Sequence, residues 1–96
     1  MEILVTYDVA TETAEGQKRL RRVAKVCEAF GQRVQKSVFE CTLSPADLEQ
    51  LKRKLARVID ETEDSLRLYR LQEPRHKHVQ VLGRQIAYDL HDPLVV

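Results

Sequence analysis

An α+β sandwich, one sheet backed by two helices, is the fold class the sequence predicts. Three observations predict it. Short β-branched apolar stretches are separated by two stretches whose apolar residues recur every three or four positions. Each of those two stretches is preceded by residues that start helices. The chain has 96 residues, enough for one compact core and too few for two.

The first element is "ILVTYDV", residues 3–9, with Ile3, Val5, Tyr7 and Val9 on one face and Leu4, Thr6 and Asp8 on the other. The polar "ATETAEG" follows, with Thr11 and Thr13 as candidate N-caps. Leu20, Val23, Ala24, Cys27 and Phe30 form the buried stripe of a helix reaching about residue 30, and Gly31 stands where a left-handed C-terminal cap belongs. "RVQKSVFECTL", residues 33–43, is β-prone and reads as one long strand or as a tight hairpin breaking near Lys36. The second helix starts with Ser44 as N-cap, Pro45 in its first position and Asp47 as the acid three residues on. Leu48, Leu51, Leu55, Val58 and Ile59 form its stripe. Asp60, Glu61, Glu63 and Asp64 suit a turn, because a helix C-terminus disfavours negative charge. "SLRLYRL", residues 65–71, is a further strand. After a loop with Pro74, "HVQVL" alternates at Val79 and Val81, and "RQIAYDL" is a weaker strand candidate before the tail "HDPLVV".

A crossover after the first strand, then a hairpin, then a second crossover gives βαββαβ, the ferredoxin-like sandwich, with an extra C-terminal strand. Residues 1–83 would form this domain and residues 84–96 a strand and tail. Two helices cover only one face of a four-stranded sheet. The face with Leu4, Thr6 and Asp8 therefore needs a partner, and a symmetric dimer joined through the open faces supplies it.

Hydrophobic residues make up 43% and charged ones 32%, and no apolar run approaches the length of a membrane span. With no signal pattern at the N-terminus, the expectation is a cytoplasmic protein without a membrane partner. A formal net charge of +1 announces no polyanion partner, so only the placement of charge can argue for one. Cys27 and Cys41 lack metal-ligand spacing and read as reduced, buried small hydrophobes. His76 and His78 could chelate from an extended segment, but no third ligand is nearby, and His91 stands alone. Tyr69 and Tyr88 read as strand packing. No phosphate-binding glycine loop or nucleophile elbow is present.

Asp8 is the residue the fold leaves unexplained. As a lone carboxylate it caps the turn after its strand. As a metal ligand it needs help, because one carboxylate holds Mg²⁺ poorly and two brought together across a two-fold axis hold it better. Lys18, Arg19, Arg21, Arg22 and Lys25 line the first helix, and Lys52, Arg53, Lys54 and Arg57 the second. Arg33 and Lys36 add charge beyond the first helix. These runs are either solvated faces or a band for the phosphates of a duplex, read by backbone and shape.

"ILVTYDV", "KRLRRVAKVCEAFGQRVQKSVFEC", "EDSLRLYRL" and the closing "DPLVV" together resemble CRISPR-associated protein 2, closest to its subtype I-C branch. The resemblance covers essentially the whole chain, least in the loop 73–78. It implies a ferredoxin-like homodimer with sheets face to face and two short strands meeting near Lys36 and Ser37. It also implies a last strand, about 86–90, that docks on the partner's sheet edge. It further implies a place in spacer acquisition, where the dimer bridges two dimers of the integrase, CRISPR-associated protein 1, around a short DNA duplex. Members are also assigned metal-dependent endonuclease activity on single-stranded RNA or double-stranded DNA. The resemblance makes Asp8 a ligand of a shared Mg²⁺ (or Mn²⁺), with Tyr7, Ser37 and Phe39 nearby as catalytic-site residues. A non-catalytic scaffold that holds duplex DNA is the alternative, along with a related toxin-like ribonuclease. A small-molecule regulator fits less well, since the three glycines are scattered.

Overall fold

The computed structural model describes residues 1–84. Strand β1 (Glu2–Asp8) leads into helix α1 (Ala14–Glu28), then the hairpin β2 (Gln32–Gln35) and β3 (Val38–Thr42). Helix α2 (Pro45–Val58) and strand β4 (Ser65–Leu71) follow, and a 3₁₀ turn covers Arg75–Lys77. The sheet order is β2-β3-β1-β4 with every neighbouring pair antiparallel, the ferredoxin-like arrangement expected. The hairpin reading of residues 33–43 holds, with its turn at Lys36 and Ser37. The expected strand at 86–90, most of the tail 84–96, Tyr88 and His91 lie outside the described residues. Among those described, no helix is long and apolar enough to cross a membrane.

Local chemistry explains both helix starts. Thr13 caps α1, its hydroxyl accepting from the Gly16 N–H at 3.0 Å. Ser44 and Asp47 form a reciprocal capping box around Pro45. From α1 only Val23, Cys27 and Gly16 are buried, and from α2 only Leu51 and Leu55. These side chains meet Ile3, Val5, Tyr7, Phe39 and Cys41 from one face of the sheet in a single core. Burying each leucine contributes about 2 kcal/mol. The chain start closes the far end, where the Met1 amino group donates to the Leu43 carbonyl at 2.6 Å and the Leu43 N–H returns a bond of 2.8 Å to Met1.

Two expectations need correction. Gly31 is not a left-handed cap: Gly83 is the only described residue with positive φ, and α1 ends at Ala29 with right-handed geometry. Glycine is needed at 31 because the chain presses against β3. A Cβ there would lie 2.5 Å from the Glu40 carbonyl oxygen and against the Cys41 sulfur. The alternating "HVQVL" forms no strand either. Val81 is 54% and Leu82 94% exposed, since alternation favours a strand only where a neighbouring ladder receives it.

Close packing at Gly31 has a measurable signature. Gly31→Ala should lower unfolding stability by about 2 kcal/mol, and Gly31→Asn by at least as much, in urea titrations. A left-handed cap would instead tolerate asparagine better than alanine.

Candidate functional site

Antiparallel pairing sorts the side chains of β1. Ile3, Val5 and Tyr7 enter the core, while Leu4, Thr6 and Asp8 line the face without helices. On that open face Leu4 stands between Glu40 and Tyr69, and Thr6 between Val38 and Arg67. Asp8, opposite Ser65, ends the row. Its side chain is exposed, and among the described residues its carboxylate has no hydrogen-bond or ion-pair partner. A charged oxygen pair left to water at the edge of a half-apolar face is a free ligand for a cation or a donor.

The backbone around Asp8 is held on three sides. Ser65 pairs with it in the ladder. The Tyr7 N–H donates to the Ser37 carbonyl at 3.1 Å, which pins the β2–β3 turn to the same end of the sheet. Just beyond Asp8, Val9 is buried and the Ala10 N–H donates to Asp64 Oδ1 at 3.1 Å. The Asp64 side chain is fully buried. It takes two bonds from Arg19, at 2.8 and 3.2 Å, and one from the Asp60 N–H at 2.9 Å. The Arg19 guanidinium holds the Asp64 carboxyl below the usual carboxylate range; burial opposes it, and the Asp60 and Ala10 N–H groups add to it.

The other expected site residues divide. Ser37 and Lys36 stand at the turn beside the end of β1, Lys36 exposed. Tyr7 and Phe39 do not face Asp8. They stack in the core with ring centroids 6.3 Å apart, and the Tyr7 hydroxyl donates to the Lys36 carbonyl at 3.4 Å. Burial pushes the Tyr7 phenol up, which keeps it protonated. Arg33 lies 5.1 Å over the Phe39 ring and 4.0 Å from Glu28, half-buried.

Of the expected basic residues, Lys18, Arg21, Arg22 and Lys25 are exposed along α1, as are Lys52, Arg53, Lys54 and Arg57 along α2. Arg19 is committed to Asp64 and Arg33 to Phe39 and Glu28. Tyr69, read as packing, is 42% exposed on the open face, where its hydroxyl accepts from Arg67 at 2.9 Å.

Sequence reasoning missed two ionic clusters. Asp64 was one of four acids in a turn, and nothing local distinguished it from the other three. Arg75 reaches across the open face to Glu2 at 3.2 Å and Glu40 at 3.4 Å, while Thr42 donates to Glu2 at 2.7 Å. No sequence pattern links residues this far apart. Cys27 and Cys41 are free and buried as expected, their thiols pushed up to about 12 and about 11 by desolvation. Among the described residues no three histidines, cysteines or carboxylates gather as a metal site.

The chain is similar over its length to known proteins. Residues 1–79 match the family model described as CRISPR associated protein Cas2. It is 58% identical over 96 residues to "CRISPR-associated endoribonuclease Cas2 1" of Moorella thermoacetica, covering 100% of both chains. It is 50% identical over 95 residues to "CRISPR-associated endonuclease Cas2" of Halalkalibacterium halodurans, covering 99% of both. Among solved structures, Streptococcus pyogenes Cas2 at pH 6.5 superposes with a TM-score of 0.79 at 53% identity. That match covers 86% of this chain and 100% of the other.

The buried Asp64 carboxylate sets a pH dependence. Its acidity is raised in the folded state, so its stabilising contribution is complete above the unfolded value, roughly pH 4, and is lost as pH falls through the lower folded value. In urea titrations from pH 7 to pH 2.5, the parent should be clearly more stable than Asp64→Asn at neutral pH. The difference should shrink below about pH 4. A difference independent of pH would rule out an ionised Asp64 as its source.

Proposed function

Since the chain belongs to the CRISPR associated protein Cas2 family, we propose that it is a metal-dependent endonuclease of the spacer-acquisition module. In this reading it acts as a homodimer on double-stranded DNA or single-stranded RNA. The observation that carries the reading is Asp8: an exposed carboxylate without a partner among the described residues, at the end of the sheet face that no helix covers. Relatives named endoribonuclease or endonuclease at 50% identity and above supply the reaction class.

Asp8 fits a hard divalent cation in donor type, being an exposed carboxylate oxygen ligand, but not in number among the described residues. The reading therefore requires two copies of Asp8 across a dimer axis, sharing one Mg²⁺ or Mn²⁺. A cation held there would supply a polarised water and neutralise charge at the phosphodiester. This chain's own residues set the rest. The open face, with Leu4, Val38 and the half-exposed Tyr69, is the surface the two copies would share. Ser37 and Lys36, held beside the end of β1 by the Tyr7 N–H, border the site and offer a hydroxyl and a cation for a phosphate. Tyr7 and Phe39 act beneath it as packing that fixes the turn.

Lys18, Arg21, Arg22 and Lys25, with the exposed bases of α2, form the band for duplex phosphates on the helical side. Residues 84–96 are read as docking on the partner subunit, and the dimer as a bridge between dimers of CRISPR-associated protein 1. A cytoplasmic site of action and the subtype I-C assignment belong to the same reading. A second reading, a DNA-holding scaffold without catalysis, is favoured by one observation: among the described residues Asp8 joins no cluster of three metal-ligating side chains.

Two measurements test this. Asp8→Asn should lower Mg²⁺-dependent cleavage of duplex DNA or single-stranded RNA by at least about 100-fold while the fold is kept. Cleavage equal to the parent's would exclude the catalytic reading. Charge reversal at Arg21 and Arg22 should weaken duplex binding and reduce the slope of log affinity against log salt by about 2. An unchanged slope would remove the band.

A further inference from the structure

The Asp8 carboxylate has no hydrogen bond or ion pair among the described residues, so its position follows the backbone of β1. That backbone is closed on its exit side by one group. The Asp64 carboxylate receives the N–H of Ala10, two residues after Asp8, on Oδ1. The next residue along the chain, Ser65, is the ladder partner of Asp8. Asp64 thus ties together the end of β1 and the start of β4, the two chain segments on either side of the Asp8–Ser65 rung. Arg19 grips both carboxylate oxygens from α1, and the Asp60 N–H takes Oδ2. Gly16 lets α1 come this close, since a Cβ there would run into the Ala10 carbonyl.

A surface turn does not need a bidentate ion pair with its carboxylate shielded and its guanidinium partly exposed to close it. Exposed ion pairs contribute little, and burying one carries a desolvation cost. What such a pair does provide is a rigid junction of three segments. We infer that Asp64, gripped by Arg19, is a positioning residue for Asp8, holding the end of β1 where two copies of Asp8 would share one divalent cation. This rests on the reading of Asp8 as a metal ligand. Groups that orient a ligand from one step away typically change metal affinity by about 10–100-fold when altered.

The test uses the full chain as parent, Asp8→Asn, Asp64→Asn and Arg19→Lys, with two readouts. One is the exchange rate of the Ala10 amide hydrogen. The other is the Mg²⁺ concentration for half-maximal cleavage, separated from the maximal rate. In Asp64→Asn, Ala10 exchange should accelerate about tenfold or more, and the half-maximal Mg²⁺ should rise about tenfold, with a smaller change in maximal rate. Arg19→Lys keeps the charge but loses the two-pronged grip, and should fall between Asp64→Asn and the parent. If Asp64→Asn does not fold, Arg19→Lys decides on the same readouts. Variants that unfold more easily yet keep the parent's Mg²⁺ requirement would overturn the inference and leave Asp64 structural. Parent-like cleavage by Asp8→Asn would overturn the metal reading itself, and this inference with it. The two failures are thereby distinguishable.

Discussion

Two helices can cover one face of a four-stranded sheet and no more. Here α1 and α2 bury Val23, Cys27, Leu51 and Leu55 against β1 and β3, and among the described residues the opposite face has no helical layer. The alternation of β1 follows from that asymmetry. Val5 has no exposed surface, while its neighbours Leu4 and Thr6 are half-buried and Asp8 is exposed. In a sheet covered on both sides, Asp8 would be an uncompensated charge. On this one it stays exposed to solvent.

Ionic clusters occupy both ends of the sheet, and they differ in kind. At the far end Arg75 spans Glu2 and Glu40 on the open face, partly exposed. It offsets two acids that cross-strand pairing brings near each other, and draws residues 73–77 over that end of the face. At the Asp8 end, Asp64 is sealed from water and fully satisfied by Arg19 and two backbone N–H groups. A buried carboxylate with four donors resists protonation and resists movement. Among the described residues Asp8 therefore stands unpaired on a surface whose underlying backbone is pinned.

The basic residues show how the same side chain serves two ends. Arg19 and Arg33 lie in one basic stretch with Arg21 and Arg22, yet tertiary contacts commit them inward, to Asp64 and to Phe39 with Glu28. Arg21 and Arg22 remain outward, free to face a polyanion. A count of positive charges in the sequence overstates what a nucleic acid would meet.

What the sequence determined by itself is what local rules govern. Period-two and period-three-to-four patterns placed the two helices and the first and last strands of the sheet, left residues 33–43 open between one strand and a hairpin, and offered at 78–82 a strand that does not form. Thr13, Ser44, Pro45 and Asp47 marked the helix starts, because capping is chemistry between residues a turn apart. The open face and the outward position of Asp8 followed from counting helices against faces. What only the tertiary structure decided depends on residues distant in the chain. Gly31 is glycine because β3 passes against it, not because of its own φ. Phe39 turns into the core beside Tyr7, away from Asp8, because β3 pairs with β1 in the register that sets Phe39 opposite Val5. Asp64 became distinct from Asp60, Glu61 and Glu63 only when folding brought Arg19 and Ala10 to it. A carboxylate's environment, unlike a helix cap, is built by whichever segments fold around it.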